Sequence, residues 1–288
     1  MIADFLQFEF LRNTLYTGLL IGLIAPLLGC FIVVRRLSLI ADALSHVTLA
    51  GIAFGLLLEK KLATPVITPF YAGLGFSVAA SLLIEKLRSM FRNFQEIAIP
   101  IILSGGVGLS VIFISLANGF TTDLFSYLFG SVSAVSSEDL RVIVIISIIV
   151  LLVIGFLYKQ LLVLSFDEEH ARVSGLHARA IHFIFMLLTA LVIAASIRIV
   201  GVLLVSALMT IPVAAAIRLA KGFKWAMILA ILFGETSVIV GLFSGYYFEI
   251  PPGGTIVVVS ILILLLSFII QKLLLANKRK AAFEKGVS

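Results

Sequence analysis

The sequence is poor in charge and almost without cysteine. Of its 288 residues, 12% are Asp, Glu, Lys or Arg, and there is one cysteine, one tryptophan and seven prolines. A soluble domain carries about 25% charged residues, so this polar complement is too thin to cover a water-exposed surface. The lone Cys30 excludes an intramolecular disulfide framework and a multi-cysteine metal site. No GxxxxGK[ST] segment occurs, so the chain has no phosphate loop of its own for ATP. The start, MIADFLQFEFLRN, has no basic n-region and no small-residue cleavage site, so the first apolar run is expected to remain in the mature protein. Alternating ten-residue segments of the kind that build outer-membrane barrels are also missing.

What the chain has is long apolar runs. It is 61% hydrophobic with a mean hydropathy of +1.23. Crossing a hydrocarbon core of about 30 Å takes about 20 helical residues. Runs of that length are read at 13–34, 39–58, 65–84, 97–117, 139–158, 180–197, 199–219, 225–246 and 255–275. The expected architecture is an all-α polytopic membrane protein with about nine transmembrane helices in a single domain, 1–288. The formal charge of +6 would suggest nucleic acid in a soluble chain. Here it follows the positive-inside rule instead, and no nucleic-acid partner is expected. With the N-terminus outside, sixteen of the 21 Lys and Arg fall on the cytoplasmic side. The outer side keeps Arg12, Lys60, Lys61, Arg141 and Arg198, and the C-terminus is cytoplasmic. Lys60 and Lys61 fit this orientation least well.

One apolar stretch carries chemistry. In SLIADALSHVTLAGIAFG, from Ser38 to Gly55, Asp42 and His46 are four residues apart. On a helix that spacing places both on one face, about 6 Å apart along the axis. An ionisable residue deep in a membrane helix costs about 2.5 to 3.5 kcal/mol on insertion scales and normally faces a protein interior or a pathway. Asp42, His46 and the intervening Ser45 offer a carboxylate, an imidazole and a hydroxyl, a mix suited to zinc and less ideally to manganese. Glu235, in ILFGETSVIVG, is the other acid deep in a span and the candidate partner from a second helix. The structural alternatives are that Asp42 caps its helix or pairs with Arg35 or Arg36, that His46 bonds a neighbouring helix, and that Ser45 bonds its own backbone.

Other features organise the chain. Gly18 with Gly22, and Gly51 with Gly55, are small residues at helical spacing that let helices approach closely in lipid. The stretch Asn118 to Ser137 reads as an outer amphipathic or re-entrant segment. Residues 164–177, LSFDEEHARVSGLH, read as a short cytoplasmic helix with acids at its N-terminus and Gly175 at its end, a candidate docking element. The tail 277–288 is basic and is expected to be mobile. Arg198 is expected to snorkel at the outer boundary. His170, His177 and His182 are unevenly spaced at a membrane edge and are not read as a metal cluster.

Several blocks together resemble the membrane subunits of the ATP-binding cassette (ABC) zinc and manganese permease family. They are APLLGCFIVVRRLSLIADALSHVTLAG at 25–51, SYLFGSVSAVSSEDL at 126–140, LSFDEEHARVSGL at 164–176, VGVLLVSALMTIPVAAA at 200–216 and PPGGTIVVV at 251–259. The resemblance implies the ABC importer permease fold in the cytoplasmic (inner) cell membrane. It implies a homodimer that receives metal from an extracytoplasmic solute-binding protein and is driven by a separate cytoplasmic ATPase subunit. The chain itself would then be no enzyme and would hold no permanent cofactor. Asp42 and His46 match the family's metal-pathway positions. Asp167 to Gly175, including Glu168, Glu169 and Ala171, matches the segment that contacts the ATPase. Glu249, Ile250 and Pro252 depart from the Asp-Thr-Pro-Ser that often opens the closing motif. The run SHVTLAG favours the zinc branch, with manganese or iron as the alternative cargo. Outside this family, a stand-alone proton-coupled transporter would use Asp42 or Glu235 as its relay, and an intramembrane enzyme would lack a recognisable catalytic set.

Overall fold

The protein is described here from a computed structural model covering residues 7–61, 68–91, 94–117, 119, 122–133 and 135–286. The described residues form helices and their connections, with no strand among them. The helices are α1 Glu9–Val34, α2 Ser38–Lys61, α3 Pro69–Met90, α4 Ala98–Leu116, α5 Thr122–Phe129, α6 Ser137–Phe166, α7 Glu168–Val173, α8 Ala178–Val200, α9 Val205–Leu219, α10 Phe223–Tyr247 and α11 Pro252–Gly286. A 3-10 turn, Gln95–Ile97, leads into α4. Among the described residues eight helices are long and apolar enough to span: α1 to α4, α6, α8, α10 and α11. Residues 65–67, the start of the expected third span, lie outside the described residues, as do 287 and 288 of the expected mobile tail. Residues 277–286 of that tail continue α11.

Of the expected seventh span, 199–219, residues 205–219 form one helix, α9, while 199 and 200 still belong to α8. Gly201, at φ 85, ends α8, a conformation that costs glycine no side-chain clash. The chain then turns before α9, whose 15 residues cover about 22 Å, short of the roughly 30 Å hydrocarbon core. Backbone inside a membrane protein must find partners, and α5 supplies them. The Val202 amide donates to the Tyr127 carbonyl at 2.9 Å, and the Ser131 amide to the Arg198 carbonyl at 3.2 Å. Approach this close needs missing side chains. A Cβ on Gly130 would stand 1.9 Å from the Ile199 carbonyl oxygen, and one on Gly253, at the start of α11, 1.9 Å from that of Val200. The segment expected to be amphipathic or re-entrant is thus, within 122–129, a short helix seated on a break in the bundle. Residues 118, 120, 121 and 134 of that segment lie outside the described residues.

α1, α2 and α8 are mostly enclosed by protein, whereas α4, α6 and α11 turn most of their surface outward. Phe31 of α1 is fully buried and meets the rings of Tyr158, Phe185 and Phe223 from α6, α8 and α10. Lys60, awkward by charge counting, has a local explanation. It ends α2, where a cation complements the helix dipole, and its Nζ donates at 3.1 Å to the Ala117 carbonyl beyond the end of α4.

Arg198 departs from expectation. Its guanidinium does not snorkel: its side chain is 19% exposed and lies 3.4 Å from the Asp139 carboxylate. It also stacks on the rings of Phe70 and Tyr127, at 5.5 and 5.2 Å from their centroids. Asp139 does double duty, because it also closes a capping box with Ser136 at the start of α6.

Candidate metal pathway

Three close helix contacts fix α2. On one side a Cβ at Gly51 would lie 2.7 Å from the Ala72 carbonyl, and one at Gly55 2.6 Å from Pro69 Cα, both on α3. On another, a Cβ at Gly106 of α4 would lie 2.8 Å from the Val47 amide nitrogen and 3.1 Å from the His46 carbonyl carbon. α4 therefore rests on the α2 backbone at the level of His46. The Gly18 and Gly22 pair plays a separate part, packing α1 on α10 against Val238, Leu242 and Glu235.

The neighbours Ala41, Ala43, Leu44 and Ser45 are buried, while Asp42 and His46 stay half-exposed. Among the described residues neither makes a hydrogen bond or ion pair. Asp42 therefore neither caps its helix nor pairs with Arg35 or Arg36, and His46 has no interhelical bond. Both stand one turn apart with their polar atoms uncommitted. Nearer the far end of α2, a cleft of about 360 Å³ opens between α2, α4 and α5, lined by Ala53, Leu56, Glu59, Lys60, Ile114 and Leu124 among others. Ala53, Leu56 and Lys60 prolong the stripe that begins at Asp42 and His46, at helical spacing.

The two other candidate ligands are placed differently. Ser45 is buried and its hydroxyl donates at 2.8 Å to the Ala41 carbonyl of its own helix. Glu235 sits on α10 against Gly22 of α1, and α10 does not touch α2. Its Oε2 is buried without a hydrogen-bond partner. Sequence pattern could place Glu235 in a span, but nothing in it said which helix that span would face. Among the described residues no group of three or more His, Cys, Asp or Glu is arranged to hold a metal. His170, His177 and His182 do not gather.

The segment at 164–177 closes sharply. The Asp167 carboxylate accepts from the His170 amide at 2.8 Å and caps α7. Gly175, at φ 79, ends it, with the Leu176 amide bonded to the Ala171 carbonyl at 3.1 Å. Ala171 is buried beneath the turn, while Glu168 and Glu169 point to solvent and Glu168 meets Arg172 at 2.5 Å. Beside these acids, Phe166 and Val173 are 66% and 88% exposed. Exposed apolar side chains next to fixed charges form a surface suited to a partner.

Comparison of the chain with known proteins gives its family. Residues 7–271 match the family described as "ABC 3 transport family". The chain belongs to that family. It is 38% identical over 249 residues to a probable metal transport system membrane protein of Treponema pallidum, covering 86% of this chain and 91% of that one. It is 37% identical to the manganese import system permease protein ScaB of Streptococcus gordonii, covering 88% and 90%. A solved structure of PsaBC from Streptococcus pneumoniae in complex with Fab superposes with a TM-score of 0.79 at 33% identity, covering 93% of this chain and 95% of that chain. This member of the ABC 3 transport family is a multi-pass membrane permease of a metal importer, a transport subunit whose ATP hydrolysis resides on a separate subunit. The comparisons do not single out a zinc branch, and the relatives' names point more often to manganese.

One group of functional candidates went unread in the sequence. At the end of the bundle that carries α7, Arg35, Glu85, Arg88 and His182 come together from α1, α3 and α8. The i,i+3 spacing of Glu85 and Arg88 is the only sequence signal for it. Burial lowers the Arg35 guanidinium to about 10, so it remains charged at neutral pH.

Proposed function

We propose that this permease carries manganese, with Asp42 and His46 as transient ligands, rather than the zinc that SHVTLAG favours. The observation that carries the reading is the pair itself: two uncommitted ligating side chains, one turn apart and half-exposed, on a helix otherwise packed tight. A carboxylate oxygen and an imidazole nitrogen accept manganese and zinc alike, so the ligand set alone does not choose. The names of relatives that span nearly the whole chain tip the choice.

Two ligands cannot enclose an ion, and a site of four or more is normal for either metal. A second copy meeting this one along the exposed face of α2 would supply the same pair again and make four. Such a site holds its cargo while other coordination positions exchange, which suits a carrier that must release. A solute-binding protein would deliver metal to the side where α2 and α4 end, near the Glu59 and Lys60 cleft. The ATPase would grip α7 through Glu168, Glu169, Phe166 and Val173.

The test is manganese and zinc content by mass spectrometry in metal-starved cells pulsed with each metal, comparing wild type, a deletion and Asp42→Ala/His46→Ala at equal membrane abundance. Loss of manganese uptake in both deletion and double mutant is expected. Loss of zinc uptake alone would keep the permease and overturn the cargo. A double mutant that imports normally would make the pair structural.

A further inference from the structure

The cluster under the coupling turn is incompletely satisfied. An Arg88 guanidinium nitrogen contacts His182 Nε2, and the other donates at 3.2 Å to Gln95 Oε1. Glu85 Oε2 lies 3.2 Å from that same Nε2, so one ring nitrogen faces both the cation and the carboxylate. Three buried atoms are left without hydrogen-bond partners: Arg35 Nη1, Glu85 Oε2 and His182 Nδ1. Two of them are complementary, since an arginine nitrogen and a carboxylate oxygen would satisfy each other. Arg35, whose guanidinium sits 5.7 Å above the Phe185 ring, lies in the fields of Arg88, of Glu168 on α7 and of Glu85, and Glu85 in those of Arg88, Arg179, Arg35 and Glu168.

The position of Arg35 gives the cluster reach. It caps α1, whose end closes with the Leu37 amide bonded to the Ile32 carbonyl at 2.9 Å and the Arg36 amide to the Val33 carbonyl at 3.0 Å. That closure normally puts glycine where Arg36 stands, at φ 57. A left-handed arginine stores backbone strain in the corner, and α2 with Asp42 and His46 begins two residues later. A polar network with unpaired members and a strained hinge is the kind of element that holds two arrangements.

Resting on the reading of α7 as the ATPase contact, we propose that Glu85 is a coupling residue that exchanges its partner between His182–Arg88 and Arg35 as the motor displaces α7. In the arrangement described here Glu85 faces His182. When Glu168 moves with α7, the acidic field on Arg35 changes, Arg35 closes on Glu85, and the Arg36 corner tips the start of α2. The ligand pair then moves in step with ATP turnover. Glu85 and Arg35 are positioning residues in this scheme and do not touch the metal.

The experiment uses the intact complex of permease and ATPase in proteoliposomes with the metal-loaded solute-binding protein, and reads manganese transported per ATP hydrolysed. Glu85→Gln is expected to keep ATPase co-purification and hydrolysis while metal per ATP falls about tenfold, within the range of ordinary allosteric coupling. Arg35→Gln should match it, the double mutant should be no worse than either single, and Glu85→Asp should recover part of the ratio. If Glu85→Gln accumulates poorly, Glu85→Asp and Arg35→Lys still report the ratio. A ratio equal to wild type in these variants, or hydrolysis and uptake falling in parallel, overturns the proposal. The reading beneath it fails separately: wild type would then show no ATP-dependent uptake, or Glu168→Ala/Glu169→Ala would leave ATPase co-purification intact.

Discussion

Gly106→Ala is the sharpest perturbation of the ligand face that leaves every polar group in place. The added Cβ would stand 2.8 Å from the Val47 amide nitrogen, 2.7 Å from Val47 Cγ2 and 3.1 Å from the His46 carbonyl carbon. A Val47 side chain can rotate, but the amide nitrogen is backbone and cannot. Restoring an ordinary contact of 3.4 Å requires α4 and α2 to part by about 0.6 Å at that level. Metal–ligand distances are held to within about 0.2 Å, so a displacement three times larger should matter wherever His46 must meet an ion. Disturbing the support of a ligand typically costs about 10 to 100-fold in metal affinity, and that is the expected rise in half-saturating manganese. Gly105 and Gly108 are the internal controls, because a Cβ at either meets nothing within 4 Å. Their alanine variants carry the same gain in helix propensity, about 1 kcal/mol, without the clash. The assay is initial manganese uptake against concentration in starved cells, normalised to membrane abundance. A Gly106→Ala curve that overlays wild type, or equal losses at Gly105 and Gly108, would refute the claim that α4 sets the position of His46.

Three further outcomes follow from the geometry. Arg198→Ala should leave Asp139 as a buried charge without its cation; removing one member of such a pair costs about 3 to 5 kcal/mol, read as a lower midpoint in thermal unfolding in detergent. Glu235→Gln should leave manganese uptake intact, since α10 does not touch α2; a tenfold loss would return Glu235 to the pathway. Gly130→Ala should lower membrane abundance more than Gly254→Ala, because the first sets a Cβ 1.9 Å from the Ile199 carbonyl oxygen and the second meets nothing within 4 Å.

Membrane helices were legible because lipid imposes a length and a polarity on each of them, so α1 to α4, α6, α8, α10 and α11 fall close to the runs read from hydropathy. The break between α8 and α9 was legible to within a few residues, at Arg198 against Gly201, but what supports it was not. Residues 199–219 are apolar enough to span, and the turn is stable only because Tyr127 and its neighbours, some 75 positions earlier, supply backbone partners. Arg198 was misread for the same reason: from sequence it lies at a boundary, and only the fold brings Asp139, Phe70 and Tyr127 to it. Asp42 and His46 stood out because a carboxylate and an imidazole at i,i+4 in an apolar run need no tertiary information to share a face. Glu235 stood out equally, yet a single acid carries no direction, and the helix it faces is α1.

The way α2 is held limits how it can move. Its contacts with α3 at Gly51 and Gly55, and with α4 at Gly106, bring backbone close to backbone at Ala72, Pro69 and Val47, which leaves little room for a slide. Packed interfaces of this kind shift between discrete arrangements and do not deform smoothly. α2, α3 and α4 should therefore travel as one body, leaving the Arg35–Leu37 corner as the place where that body joins α1. Glu85 and Arg88 ride on α3, inside the moving body, whereas Arg35 and His182 belong to α1 and α8 outside it. The seam between the two bodies thus runs through the partly buried charge cluster of Arg35, Glu85, Arg88 and His182. A force applied at α7, the proposed ATPase contact, would meet the seam before it met Asp42 and His46, the proposed ligands, which is the order a motor-driven carrier requires.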